Sequence, residues 1–265
     1  MTYCLAIKVH EGLVFASDSR TNAGVDQIST YSKMFTFGID GQRVFTVLTA
    51  GNLATTQSVI GHLRRDLEKG IEPSLNTVES VEDAARYLGT LSREEQARHS
   101  PSKIDTSASF IIGGQVNGDE PRVCLVYAEG NFISATEETP YLQIGEVKYG
   151  KPILDRIINP ETPLDEAALC ALVSMDSTTR SNATVGPPIE VMVYATGHLR
   201  QDRHFVFKAD DPYLMDLKLA WDMKLKEAFT ELRRYSWQQP ASLKDTAPNS
   251  VSNEPAPTGD MQGNT

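Results

Sequence analysis

A threonine at position two, running straight into Tyr3-Cys4-Leu5-Ala6-Ile7-Lys8-Val9, limits this chain more than any other feature. Tyr3, Leu5, Ile7 and Val9 recur every second residue, the period of a strand. A chain terminus is normally frayed, but a strand that starts at its third residue ties it down. Met1 precedes a small residue, and its removal by methionine aminopeptidase is expected. Thr2 then carries a free α-amine beside its own hydroxyl.

Such a residue is nucleophile and base together. A threonine hydroxyl attacks poorly until a neighbour takes its proton, and a Thr–N-terminal amine pair is one way to arrange this. An α-amine ionises at about 7.7–8.0, against about 10.4 for lysine, and a general base works best near the operating pH. A nearby ammonium lowers the amine further. Lys33 is a candidate for that ammonium. Asp18 is a candidate for the carboxylate that keeps Lys33 charged and oriented.

The residues between these positions read as hairpins. Glu11-Gly12 is a turn, and Leu13-Val14-Phe15-Ala16 returns as a second strand that ends near Asp18. Met34–Phe37 and Val44–Leu48 form two more strands, with Lys33 at the start of the first. Taken alone, Asp18 is equally a turn residue, and Lys33 a solvated edge residue. Thr49-Ala50-Gly51-Asn52 is a strand-to-helix junction. Its glycine allows close approach of backbone N–H groups at the electropositive start of a helix.

Thr2, Gly12, the run Val14-Phe15-Ala16-Ser17-Asp18-Ser19-Arg20, Gly24, Lys33 and Thr49-Ala50-Gly51 together resemble the N-terminal half of a proteasome β subunit. The order is that of the family, with one residue fewer between Asp18 and Lys33. The near-terminal threonine without a propeptide and the polar C-terminal tail resemble the bacterial Anbu proteasome-like proteins. The resemblance is strong over the first 55 residues and thins toward residue 235. It implies an N-terminal nucleophile hydrolase with Thr2, Asp18 and Lys33 in the site and Gly51 as the oxyanion-hole N–H. It also implies assembly of identical subunits into rings or spirals, with no ATPase partner encoded in the chain.

The second half departs from that pattern. Gly145-Glu146 stands where the family has Gly-Ser, and Arg180-Ser181-Asn182-Ala183-Thr184-Val185-Gly186 where it has Arg-Asp-x-x-Ser-Gly-Gly. Thr184 is a candidate to replace the family's serine and Ser181 its aspartate. The group that steadies the amine is therefore expected to be altered.

The remaining elements suit an α+β fold, a four-layer αββα sandwich. Helices are expected from Leu53 to Lys69, from a Ser80-x-x-Asp83 start, at about 150–158, and from a Thr162-Pro163 cap to about Thr179. Arg93 to Asp105 reads as a loop. Strands are expected at 107–112, 123–128 and 132–135, with Gly113-Gly114 between two of them, and at 189–194 and 205–207, while Tyr141–Gly145 leads toward the helix at about 150–158. A last helix follows Asp211-Pro212. Its stripe of Leu214, Leu217, Trp221, Leu225, Ala228 and Leu232 reads as core, with docking to a neighbouring subunit as the alternative. The expected domain is 1–237, followed by a disordered polar tail at 238–265.

Composition excludes several function classes. A formal charge of −10 over 265 residues disfavours nucleic acid, whose phosphates need a basic face. No run approaches the roughly 20 apolar residues of a membrane span. Cys4, Cys124 and Cys170 have no paired spacing and read as buried thiols of a reducing compartment, so a cytoplasmic protein is expected. The five histidines lack the spacing of a zinc helix, and neither a Gly-x-Ser-x-Gly elbow nor a phosphate loop occurs. No metal and no cofactor are expected. The favoured function is a threonine-type peptidase acting on peptides or unfolded protein inside a large homo-oligomer. The alternatives are an amidase for a small amide and a catalytically weak shell subunit.

Overall fold

The computed structural model describes residues 1–22, 28–99, 105–235 and 237. In chain order the elements are β1 (Tyr3–Val9), β2 (Gly12–Asp18), β3 (Arg20–Asn22), β4 (Ile28–Thr30), β5 (Met34–Ile39) and β6 (Arg43–Gly51). Next come α1 (Leu53–Lys69), α2 (Val81–His99), β7 (Ala108–Val116), β8 (Arg122–Val126), β9 (Phe132–Ser134) and β10 (Tyr141–Gly145). The chain continues with α3 (Lys151–Ile157), α4 (Leu164–Ser181), β11 (Ile189–Ala195), β12 (His204–Phe207) and α5 (Pro212–Glu231). The expected tail at 238–265 lies outside the described residues. Met1–Lys224 form one compact unit, and the chain from Leu225 belongs to a second.

Two five-stranded antiparallel sheets form the centre, ordered β10-β1-β2-β11-β12 and β5-β6-β7-β8-β9. Strand alternation sorts their side chains. From β1, Tyr3, Leu5, Ile7 and Val9 pack with Leu154 of α3 and Ala167, Ala171 and Met175 of α4. Cys4 and Ala6, on the opposite face, meet Leu48 and Ile111 of the other sheet. That second sheet turns Phe45, Val47, Phe110 and Ile112 toward Val59, Ile60 and Leu63 of α1 and Ala84 and Leu88 of α2. The result is the αββα sandwich. β1 is buried on both faces, so its period of two comes from two different cores. Leu5 is fully buried, and truncating it to alanine should cost roughly 2–5 kcal/mol.

Four local expectations are corrected. α2 does not stop at Arg93 but runs to His99. Helix-forming Glu94, Glu95 and Gln96 carry it on, Arg98 pairs with Glu95 at 3.0 Å, and Gln96 Nε2 donates to the Ala128 carbonyl. Gly113 and Gly114 do not separate strands but lie within β7, where a side chain on Gly113 would strike the Phe15 ring of the facing sheet. The start of α4 is not capped by Thr162. The Leu164 N–H donates to the Glu11 carboxylate at 2.8 Å, reaching across from the β1–β2 turn. In α5 only Leu214 is fully buried. Leu217 packs partly against the core, whereas Leu225 and Leu232 are exposed, so the apolar stripe is not core along its length.

Candidate active site

The site forms where the head of β1 meets the end of β2 and the start of β5. Cys4 pairs with Ser17 across β1–β2, which sets Tyr3 beside Asp18. The Tyr3 N–H donates to Asp18 Oδ1 at 3.0 Å. The Tyr3 side chain is locked as well. Its hydroxyl lies 2.7 Å from Ser174 Oγ and accepts from Gln143 Nε2 at 2.6 Å. Thr2 therefore projects from a fixed strand end.

Asp18 is 0% exposed and Lys33 6%. Lys33 Nζ lies 2.7 Å from Asp18 Oδ1 and donates also to the Arg20 carbonyl at 2.7 Å. The second carboxylate oxygen, Oδ2, accepts from the Gly186 N–H at 3.2 Å. Burial raises the ionisation of Asp18 above the ordinary carboxylate range, opposed by the Lys33 charge and by these hydrogen bonds. Lys33 is thus a buried partner rather than the solvated edge residue that its sequence position alone suggests.

Thr2, Lys33, Thr49, Ala50 and Gly51 line one cleft of about 410 Å³, together with Met1, Thr21, Leu53, Thr56 and Gly145. Gly51 closes β6 at φ 105. Asn52 behind it caps α1, its side chain accepting from the Thr55 N–H at 3.1 Å. The four predicted site residues therefore converge. Asp18 sits just behind the wall that Lys33 presents.

With Met1 in place, the chain-head amine is lowered below its ordinary value. Burial is the first cause and the Lys33 charge the second, while Asp18 and Glu146 act in the opposite sense. Glu146 is the residue that sequence reasoning left without a role. Its N–H donates to the Thr2 carbonyl at 2.7 Å. Its side chain is buried and accepts from Asn182 Nδ2 at 2.8 Å. Asn182 Oδ1 in turn accepts from the Thr184 hydroxyl at 2.6 Å and the Thr184 N–H at 3.0 Å. Ser181 ends α4 and is exposed. The residue reaching inward is its neighbour Asn182. The signal was available in the two departures from the family pattern, Glu146 and the 180–186 segment, which meet in space.

Other expected features can also be placed. Cys4, Cys124 and Cys170 are free and buried. His198 and His204 pair with Asp202 and Glu190 at 3.0 and 3.2 Å. Among the described residues no helix is long and apolar enough to cross a membrane.

Two sheets enclosed by paired helices are the sandwich of the N-terminal nucleophile hydrolase fold; Thr2, Lys33 and Gly51 line one cleft in it, with Asp18 behind Lys33. The profile of the proteasome subunit family matches residues 2–194, and the chain belongs to that family. Anbu proteins are among the similar solved structures. It is similar to Anbu (ancestral beta-subunit) from Yersinia bercovieri at 45% identity and TM-score 0.85, over 89% of this chain and 100% of that one. The Pseudomonas aeruginosa Anbu, solved as a helical assembly, matches at 46% identity and TM-score 0.85, covering 89% of this chain and 99% of that one. Anbu from Hyphomicrobium sp. strain MC1 matches at 42% identity and TM-score 0.83, covering 89% and 100%. Among curated proteins none matches.

Proposed function

We propose that this chain is a threonine-type peptidase that cleaves peptide bonds inside a homo-oligomer, with Thr2 as nucleophile once Met1 is removed. The observation that carries the proposal is the buried Lys33–Asp18 pair, whose lysine lines the same cleft as Thr2 while Asp18 lies enclosed behind it. Burying two charges costs several kcal/mol per ion, and packed apolar residues often serve stability as well or better. A pair kept there fits a role in catalysis.

The Thr2 hydroxyl oxygen attacks the substrate carbonyl carbon while its proton passes to the α-amine. Lys33 keeps that amine partly unprotonated and stays charged through Asp18. The developing oxyanion takes the Gly51 N–H, a contribution typically worth about 2.7–4 kcal/mol in oxyanion holes. The amine then returns the proton to the leaving nitrogen as the C–N bond breaks. Water, giving one proton to the same amine, attacks the ester carbon, and the amine passes that proton to the Thr2 oxygen as its bond to carbon breaks, which restores free Thr2.

Enclosure follows from danger to the cell, since an open peptidase site would attack cytoplasmic protein. The Pseudomonas relative forms a helical assembly, and the same mode of association is proposed here. Intact-mass measurement tests the chemistry: Met1 should be absent, and a covalent threonine-directed inhibitor should add to Thr2. Sedimentation at micromolar concentration tests enclosure. An active species at the monomer mass would overturn the peptidase reading in favour of a small-amide hydrolase.

A further inference from the structure

Tyr3 stands next to the nucleophile, and no part of it is exposed. Its ring packs with Leu154 of α3 and Ala171 of α4, a place that a phenylalanine ring would fill as well. The hydroxyl is nonetheless fully engaged. It accepts from Gln143 Nε2 of β10 at 2.6 Å and lies 2.7 Å from Ser174 Oγ of α4, 171 residues away in the chain. Burial pushes the ionisation of the phenol up, so its proton stays available to donate. Gly150, which caps the start of α3, closes the other side. Its φ of −84 suits any residue, but a Cβ there would lie 2.2 Å from the Tyr3 oxygen and 2.3 Å from Ser174 Oγ. The hydroxyl pair, and not the backbone, requires glycine at this point.

We infer that Tyr3, through its hydroxyl bonds to Ser174 and Gln143, is a positioning residue that sets where Thr2 stands in the cleft. The inference deepens the proposed function and rests on Thr2 being the nucleophile. Tyr3 is wholly enclosed and touches no reacting atom, so it acts through the backbone. The Thr2 carbonyl accepts from the Glu146 N–H at 2.7 Å, and the Tyr3 N–H donates to Asp18 Oδ1 at 3.0 Å. A peptide unit is planar, so with both ends held its plane is set and Thr2 turns only about its own bonds. The strand head as a whole is less secure. The β1–β2 ladder stops at Cys4–Ser17, one residue short of Tyr3, and on the other side Tyr3–Gly145 is the last pair with β10. Strand ends fray unless tied down. The Tyr3 hydroxyl ties this one to the α4 layer and to β10, and so fixes how far Thr2 advances.

Covalent labelling of Thr2 by a peptide epoxyketone tests this on the full chain. Intact mass followed at several inhibitor concentrations separates the maximal labelling rate from the half-saturating concentration. Tyr3→Phe keeps the ring and removes the hydroxyl. Its maximal rate should fall roughly ten- to a hundredfold, the scale on which a displacement of about 1 Å acts. The half-saturating concentration should hold, because the cleft walls are untouched. Ser174→Ala should act in the same direction, and the double variant should be little slower than Tyr3→Phe alone, since both cut one contact. Tyr194→Phe is the control. That tyrosine is also buried, at the other end of the hairpin, with its hydroxyl bonded to Gln115 and to the Leu199 N–H. It should lose comparable stability in denaturant and label at the native rate. Native labelling rates in Tyr3→Phe and Ser174→Ala would overturn the positioning role and leave the nucleophile reading standing. So would a Tyr194→Phe protein slowed as much as Tyr3→Phe. If Tyr3→Phe does not fold, Ser174→Ala, which keeps the tyrosine, decides alone. A native protein that is not labelled at Thr2 would overturn the nucleophile reading and this inference with it.

Discussion

At one end of the β1–β2 hairpin Asp18 and Lys33 are buried against each other; at the other, His10 and Glu11 stand in solvent and Lys8 is half-buried. The open end closes with ordinary means. Lys8 and His10 use their backbone N–H groups on Pro140 and Pro160, at 2.7 and 2.8 Å. The Thr2 end uses a buried ion pair and a buried glutamate for a job of the same mechanical size, while each end has a glycine pressed against a carbonyl, Gly145 on Thr2 and Gly12 on Tyr194. A hairpin folds without such a set. Under the proposed function the difference between the ends separates residues kept for chemistry from residues that only close the hairpin, and it predicts that substitutions at the two ends will act differently on activity and stability.

The largest contrast should come from Thr2→Ala. Hydrolysis should vanish while fold and assembly persist, because Thr2 is only partly buried at a strand end. Wild-type turnover of any native substrate by this variant would end the N-terminal-nucleophile reading. Next is the buried pair. Lys33→Ala or Asp18→Asn leaves a charge unpartnered in the interior, at a cost of about 3–5 kcal/mol. Each single change should lower activity about as much as the double, since residues acting as a unit are strongly non-additive. Additive rate losses in that cycle would show independent roles.

Gly145→Ala sharpens the comparison without touching a charge. The added methyl would meet the Thr2 carbonyl at 2.0 Å, and φ +84 strains an alanine by about 1–3 kcal/mol. The strand end must shift, so activity should fall steeply with a modest loss of stability. Denaturant unfolding beside a rate assay measures both. An active, destabilised variant would mean that the exact seat of Thr2 matters little.

The first 55 residues made most of this legible. Local period and turn residues fix the hairpins that carry Thr2, Asp18, Lys33 and Gly51, whereas the grouping of these four as a site comes from the order of motifs that resembles a proteasome β subunit. What stayed hidden depends on contacts across long sequence separations. Glu146 and Asn182 are 36 residues apart and meet because β10 pairs with β1 while α4, which Asn182 ends, packs over the same sheet. Local propensity also misread Gly113-Gly114 as a break, since only the facing sheet, with Phe15 pressed close, explains them. The polar composition of Arg93–His99 suggested a loop, yet the segment is helical, and Gln96 ties it to the Ala128 carbonyl between β8 and β9.

The smallest effect, and the most direct check that the two ends are independent, lies at Glu11. α4 begins at Pro163-Leu164 without a capping side chain of its own. The first turn of a helix leaves N–H groups unpaired, and here the Glu11 carboxylate takes the one on Leu164. Glu11→Ala removes that acceptor and a negative charge at the positive helix end, a loss of about 1 kcal/mol on the scale of N-cap deletions. For a domain of this size that lowers Tm by roughly 2–4 °C. Glu11→Gln keeps an acceptor and should cost less. Neither variant should change the rate per folded subunit, because the cap lies at the opposite end of β1 from Thr2. A Glu11→Ala protein that unfolds at the native temperature would show the cap to be idle. One that loses activity in step with Thr2→Ala would show strain crossing the whole strand, and the contrast between the two ends would no longer hold.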